Sequence, residues 1–323
     1  MQVRTCLSLA LSLLVPLGVP AALGEESSNQ STNQTQRERS VAEFATLQGN
    51  AEMGDAVAQY RLGSLYMSGS DVQQNYVEAA KWFKLAAVQG LAAAQFDLGY
   101  LYQEGKGVTK DYVASASYYR AAAEQGHPTA QNNLASLYGR GWGVPKNLSE
   151  AIRWYRAAAE HGDPIAQCNL ATAYLLGRGV RRDDRQAVTW FLAAAQQGFA
   201  VAQANLAFMY YTGRGVGRDY AEAAKWTMRA AEQGYALAET DLGYLYEQGK
   251  GVPLDYVAAY TWYSVGVAGG DNRGIARMKA LTRLMRPRDV TEAKRLAFAH
   301  VLRHGNDPER INNDSKASVL DRH

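Results

Sequence analysis

The sequence predicts an all-α solenoid of six 36-residue helix-turn-helix repeats with helical caps. Three observations predict it: residue identities recur every 36 positions, the apolar positions of each unit have helical spacing, and glycines close the predicted helices. A fixed period of this size is typical of stacked repeat arrays. The length of 323 residues therefore reflects the number of repeats, although length alone would suggest two globular domains.

Four columns of like residues recur at this period without an insertion. They are Gln59, Gln95, Gln131, Gln167, Gln203 and Glu239; Leu62, Leu98, Leu134, Leu170, Leu206 and Leu242; Tyr66, Tyr102, Tyr138, Tyr174, Tyr210 and Tyr246; and Gly69, Gly105, Gly141, Gly177, Gly213 and Gly249. Five of the six tryptophans share a further column. Because a few positions are copied six times, glycine (30) and tyrosine (20) are abundant.

The first 24 residues have the layout of a secretory signal peptide. Arg4 stands in a segment without acidic residues, a short apolar run is broken by Pro16, and small residues at Ala22 and Gly24 precede the expected cleavage site. We therefore expect a periplasmic or secreted protein without an integral membrane segment after cleavage. Residues 25–39 and 305–323 are polar, which predicts a disordered lead and a polar tail.

Each unit resolves into two predicted helices. In unit two, Ala94 and Leu98 fall on one face of a first helix that ends at Gly105, and a second helix runs from Tyr112 to Gly126. A Gly-x-Gly-Val segment separates them, because glycine readily takes the positive φ that a sharp reversal needs. The six repeats are predicted to span residues 58–273.

Terminal units need caps, since each exposes one apolar face. We predict an N-terminal helical cap at residues 40–57, formed by one helix that ends at Gly54. We predict a C-terminal helical cap at residues 274–304, formed by two helices divided at Pro287.

The units resemble the Sel1-like repeat (SLR) family, which is related to the tetratricopeptide repeats. Residues 94–102 read AQFDLGYLY and residues 151–162 read AIRWYRAAAEHG, close to the family pattern. The resemblance implies an α/α right-handed superhelical solenoid that serves as a scaffold for protein partners, and we expect a bacterial source. Departures from the pattern include Asp71, which replaces the second loop glycine of unit one, and Asp184, which replaces a loop-flanking tyrosine in unit four.

Catalytic and metal-binding patterns are missing from the sequence. It contains no G-x-S-x-G, H-E-x-x-H, P-loop or S-x-x-K set, so we predict no catalytic residue and no cofactor. His300 and His304 have a helical i, i+4 spacing, but they lack a third ligand, so no metal site is predicted. Cys168 is the one cysteine outside the signal segment; it is either a small buried residue or a point of intermolecular oxidation.

Two positions on the first helices vary between units and form candidate partner-binding sites on the concave face that the resemblance implies. They are Asp97, Tyr100, Asn133, Ser136, Asn169, Thr172, Asn205, Phe208, Asp241 and Tyr244. Amides there can bond to the backbone of an extended peptide, and aromatic side chains can supply apolar contact. The same amides can instead tie neighbouring helices together, and the sequence leaves both interpretations open.

The formal net charge is only +3, which does not favour nucleic acid as a partner. Lysine and arginine nevertheless concentrate in the repeat turns and in residues 273–303, so an acidic partner or an anionic envelope surface is a second expectation. The predicted function is a non-catalytic, monomeric scaffold or adaptor of the cell envelope or secreted space that binds a protein or peptide. The alternatives are an envelope hydrolase acting on peptidoglycan or penicillins, and a lumenal scaffold of a eukaryotic degradation complex.

Overall fold

The computed structural model describes residues 42–70 and 72–304. All regular structure within these residues is helical, as the sequence predicts. The predicted signal peptide, polar lead and polar tail lie outside the described residues. Helix α1 occupies residues 42–52.

Twelve helices of 13 residues each follow in six pairs. The first helices of the pairs are α2 (Ala56–Ser68), α4 (Ala92–Glu104), α6 (Pro128–Arg140), α8 (Pro164–Leu176), α10 (Ala200–Thr212) and α12 (Ala236–Gln248). The second helices are α3 (Tyr76–Val88), α5 (Tyr112–Glu124), α7 (Leu148–Glu160), α9 (Asp184–Gln196), α11 (Tyr220–Glu232) and α13 (Tyr256–Ala268). Two more helices, α14 (Gly274–Leu281) and α15 (Pro287–His304), complete the described chain.

The helix boundaries follow from capping residues. Every second helix starts after an Asp or Asn whose side chain accepts a hydrogen bond from a backbone N–H of the first turn, as Asp111 does from Val113 and Ala114. Every first helix ends at a glycine with a left-handed φ, such as Gly105 at 69°. The chain can therefore reverse within a few residues.

The second loop glycine meets a different requirement, which is close approach to the preceding unit. A Cβ added to Gly143 would overlap the carbonyl group of Tyr112, the first residue of α5. The equivalent glycines at 107, 179, 215 and 251 face the start of the preceding second helix in the same way. Asp71, the departure in unit one, lies outside the described residues.

The core is built from small and aromatic side chains. Alanines such as Ala94, Ala130 and Ala166 are fully buried and let neighbouring helices pack closely. The position after the tryptophan column, which we call the ring column, places an aromatic side chain against the first helix of its own unit. The ring column consists of Phe83, Tyr119, Tyr155, Phe191, Thr227 and Tyr263, and its five aromatic members are buried. Thr227 is its one member without a ring.

A glutamine ladder links the successive units from the first to the fifth. The buried Gln203 donates from Nε2 to the carbonyl oxygen of Ala195 at 3.1 Å, and its Oε1 accepts from Gln233 Nε2 at 2.7 Å. The same two bonds recur at Gln59, Gln95 and Gln167 with Gln89, Gln125 and Gln197. The bond to the carbonyl oxygen therefore crosses to the preceding helix pair, and the bond between the two glutamine side chains joins the two helices of one pair.

Short helices cover both ends of the array. Phe44 and Leu47 of α1 pack on a cluster that includes Leu62 and Trp82 of unit one. At the other end, α14 and α15 pack on α13, where Tyr263 is buried with Leu281 and Ala293. Pro287 is the first residue of α15, a position where the missing N–H costs nothing.

Candidate partner-binding site

The ten predicted site residues lie two each on the first helices α4, α6, α8, α10 and α12. Their common surface is called the first-helix face below. The structure separates them into two groups. Six of them line two adjoining grooves over units four to six, and the four on α4 and α6 lie outside these grooves.

The first groove runs across α8, α10 and α12 and has a volume of about 300 Å³. Asn169, Thr172, Asn205, Phe208 and Asp241 are among its lining residues. The second groove, of about 270 Å³, lies between α10 and α12 and adds Tyr244. Phe208 lines both grooves and is 46% exposed, and Leu176 and Leu237 of the first groove are exposed to a similar degree.

The amides of this face also join neighbouring first helices. Asn169 Nδ2 donates to Asn132 Oδ1 at 3.1 Å, and Asn205 hydrogen-bonds with the thiol of Cys168. Each of these contacts joins a site position to the residue 37 places earlier, on the preceding first helix. These contacts orient the amides. Each amide uses part of its hydrogen-bonding capacity to join neighbouring helices, and the rest remains for other partners.

The site residues of α4 and α6 make contacts of the same kind. The Asp97 carboxylate accepts a hydrogen bond from the Tyr60 hydroxyl of α2, and burial raises the pKa of Asp97 to about 6. Tyr100 accepts a hydrogen bond from Lys106 Nζ at 3.1 Å. Asn133 Oδ1 accepts from Asn132 Nδ2 at 3.4 Å, and Ser136 hydrogen-bonds with Tyr155. The four site residues of this half are therefore each engaged in a hydrogen bond within the protein.

Charges meet at the C-terminal end of the first groove. Arg273 pairs with Asp241 at 3.1 Å and with Asp271 at 2.7 Å, and it donates to the carbonyl oxygen of Leu237 at 3.0 Å. The guanidinium beside Asp271 lowers the pKa of that carboxyl, against the opposing effect of burial. The groove therefore ends in a fixed ionic cluster.

Comparison with known proteins identifies the repeat. The profile described as the Sel1 repeat matches residues 56–91, 92–127, 128–163, 164–199, 200–235 and 236–271. The chain belongs to the Sel1 repeat family. Sel1 repeat proteins generally act as protein-interaction scaffolds. A search of curated protein sequences finds no match.

Two solved Sel1 repeat structures share the fold with substantial sequence identity. One is c5321 of Escherichia coli, described as a protective antigen present in uropathogenic strains and displaying an SLR fold. It has 31% identity and a TM-score of 0.72, and the match covers 86% of this chain and 64% of that one. The other, a Sel1 repeat protein from Oxalobacter formigenes, has 35% identity and a TM-score of 0.61, with coverage of 66% and 85%. This chain thus spans less than two thirds of the length of the c5321 structure.

Several groove residues of the Sel1 array escaped the sequence prediction. Phe199 and Tyr235 stand at the N-cap positions of α10 and α12, where they make no capping bond and line the first groove instead. Asp55 and Asp163 cap their helices at the same position in other units. The replacement of a capping aspartate by an aromatic residue at this N-cap position could have indicated the groove from the sequence. Arg273 lies beyond the last repeat, so no column pointed to it.

Several of the cationic side chains in the Sel1 turns are paired with neighbouring side chains of the same protein. Lys250 Nζ donates to the Tyr211 hydroxyl at 2.7 Å, and Arg214 forms an ion pair with Asp184 at 3.0 Å. Arg182 also pairs with Asp184, and the two guanidinium groups hold the pKa of this carboxyl far below its usual range. Asp184 therefore anchors the loop of the next unit, at a position where four of the six units have a tyrosine.

Cys168 and the possible metal ligands are the remaining groups that the sequence singled out. Cys168 is buried, and burial raises the pKa of its thiol to about 12. Among the described side chains, no three His, Cys, Asp or Glu come close enough to hold a metal ion. The described helices include none that combines the length and the apolar character required to cross a bilayer.

Proposed function

We propose that this Sel1 repeat protein is a non-catalytic scaffold that binds a protein or extended peptide on the first-helix face of units four to six. The observation that carries the proposal is the half-exposed Phe208, which lies where the two grooves join. An exposed aromatic side chain in a groove with convergent polar groups is a common anchor for a partner.

The surrounding amides suit a peptide backbone. Asn169 and Asn205 are held by bonds to the preceding helix, which lowers the entropy lost when they bind a ligand. An amide has both donor and acceptor capacity, so it can pair with the N–H and C=O groups of an extended chain. The structural and ligand-contacting roles are therefore compatible at the same residue.

We place the protein in the periplasm or outside the cell, because residues 1–24 have the pattern of a secretory signal peptide. An acidic partner or an anionic envelope surface fits the cationic turns, where Arg181 and Arg185 line a surface depression beside the paired Asp184. We further propose that the protein is a monomer, with the first-helix face left available to its partner.

The decisive test compares two exposed phenylalanines. Partners are captured by chemical cross-linking from the native compartment with wild type, Phe208→Ala and Phe298→Ala. Phe298 is 66% exposed on α15 and does not line either groove, so it is a matched control. We expect Phe208→Ala to lose most of the captured partner and Phe298→Ala to retain it, with equal melting temperatures. Equal capture by all three proteins would refute binding at this face.

A second variant addresses the amides. Replacement of Asn133, Asn169 and Asn205 together by Ala is expected to weaken partner capture as well as stability. Reduced stability with unchanged capture would assign these amides to helix packing alone.

A further inference from the structure

The ring column is interrupted in unit five. In units one, two and six the ring lies directly against a glycine of the first helix, so that a Cβ added to Gly63 would stand 2.7 Å from Phe83. Units three and four pair a ring with an alanine, as Phe191 does with Ala171 in a shared buried cluster. Unit five pairs the alanine Ala207 with Thr227. Unit five therefore has an alanine on its first helix, as units three and four do, but a threonine in place of the ring. The volume that the ring fills in those units is not filled by the column residue of unit five.

The missing volume is open rather than filled by neighbouring side chains. The groove of about 270 Å³ between α10 and α12 is lined at its base by Thr227 together with Ala207, Ala223 and Ala238. Thr227 Oγ1 donates to the carbonyl oxygen of Ala223 at 2.8 Å, so its hydroxyl is satisfied within α11. The base of this ring pocket, as we call it, is apolar, while Phe208 and Tyr244 stand at its walls.

One unpaired charge lies beside the ring pocket. Lys250 Nζ is 4.9 Å from the ring centre of Tyr211 and 5.8 Å from that of Tyr244, both wall residues. Within the described residues it bonds to tyrosine and has no acidic partner. The carboxylate of Asp241 on the rim is already paired with Arg273. Charge complementarity at this rim therefore favours an acidic group in the ligand.

We propose that the ring pocket of unit five binds an aromatic side chain of the partner, with an acidic residue next to it in the partner chain. The partner then supplies the ring that the other five units carry themselves. The inference rests on the proposed function in placing an extended peptide on the first-helix face, and it adds the side-chain chemistry that this peptide must have.

The test fills the pocket with the residue that the array uses elsewhere. Binding of p-cresol, the side-chain analogue of tyrosine, is followed by NMR titration of wild type, Thr227→Phe and Thr227→Val. We expect saturable shifts around α10 to α12 in wild type and in Thr227→Val, which keeps the shape of threonine. We expect at least a tenfold loss of affinity in Thr227→Phe, together with an unchanged or higher melting temperature, because units three and four show that a ring fits opposite alanine.

The absence of saturable binding to wild type, or equal binding to Thr227→Phe, would overturn the proposal. The acidic residue is tested with two blocked dipeptides, acetyl-Asp-Phe-amide and acetyl-Lys-Phe-amide, at low salt. We expect the aspartyl peptide to bind several-fold more tightly, and equal affinities would remove that part of the inference. If Thr227→Phe captures the cellular partner normally while Phe208→Ala does not, the ring pocket is excluded and the proposed function stands.

Discussion

At the scale of single residues, Asp97 shows how a site position can be constrained by its own protein. Its carboxylate lies between α2 and α4 and accepts a hydrogen bond from Tyr60, yet the larger effect of burial raises its pKa to about 6. Three of the equivalent positions carry an asparagine, which has no charge to desolvate. Ionised Asp97 is therefore a cost to the fold at neutral pH.

Replacement of Asp97 by Asn should stabilise the protein at neutral pH. A carboxyl whose pKa is higher in the folded than in the unfolded state loses stabilising free energy as pH rises from about 4 to about 6, and the loss persists above that range. We expect Asp97→Asn to raise the free energy of unfolding by about 1–2 kcal/mol at pH 7.5, and the gain to disappear near pH 4. Urea unfolding at both pH values measures this difference. A gain of equal size at both pH values would contradict the role assigned to the charge.

At the scale of helices and loops, each bond between two glutamines of the ladder joins a buried side chain to an exposed one. Gln203 is 4% exposed and makes two hydrogen bonds, whereas Gln233 at the end of α11 lies at the surface. Removal of the Gln203 side chain leaves buried polar groups without a hydrogen-bond partner, where water cannot replace it. Removal of the Gln233 side chain leaves fewer buried groups unsatisfied.

Gln203→Ala should therefore cost about 2–3 kcal/mol of unfolding free energy, and Gln233→Ala about 1 kcal/mol. The double variant should lose less than the sum, because both single changes break the same bond. Thermal and urea unfolding of the three variants form a double-mutant cycle. Strict additivity would show that the bond between Gln203 and Gln233 contributes nothing to coupling between α10 and α11.

Much of the helix and loop structure could be predicted from the sequence, because the residues that determine it lie within one repeat unit. The glycines after each first helix and the apolar stripe of α4 follow from helix geometry, which one unit contains completely. The bonding of Gln203 to Gln233 was not predictable, because it depends on how α11 packs against α10 in three dimensions. The grooves escaped prediction for the same reason. Thr227 was visible as a break in a column, but only packing showed that the missing ring leaves a pocket.

At the scale of the whole molecule, stability of a stacked array depends on covering its two ends. Tyr260 and Tyr263 of α13 are buried beneath the last two helices, with 5% and 1% of their surface exposed. Burial of an aromatic side chain is worth about 2 kcal/mol. Loss of α14 and α15 would turn this covered surface into an apolar patch.

A variant that ends at residue 272 should therefore melt at a lower temperature and self-associate. We expect it to lose about 3 kcal/mol of stability, the larger part of the burial of these two tyrosines. Calorimetry and light scattering after gel filtration measure the two effects. A variant that lacks only residues 305–323 serves as the control and should match the intact chain. A monomeric 272-residue variant with the original melting temperature would show that these helices are not a cap.

Two contacts between successive units recur with a fixed spacing. The column glutamine donates to a carbonyl oxygen eight residues earlier, in the preceding unit, as Gln203 does to Ala195. The residue after the first loop glycine contacts the first residue of the preceding second helix, 30 positions earlier, as Lys250 does with Tyr220. Insertion or loss of a single residue between such partners would disturb these links, whereas gain or loss of 36 residues would recreate them at the new junction. A change of length by whole units therefore preserves the stacking, and a unit with an unusual feature, such as the pocket at Thr227, can be moved or copied as a cassette.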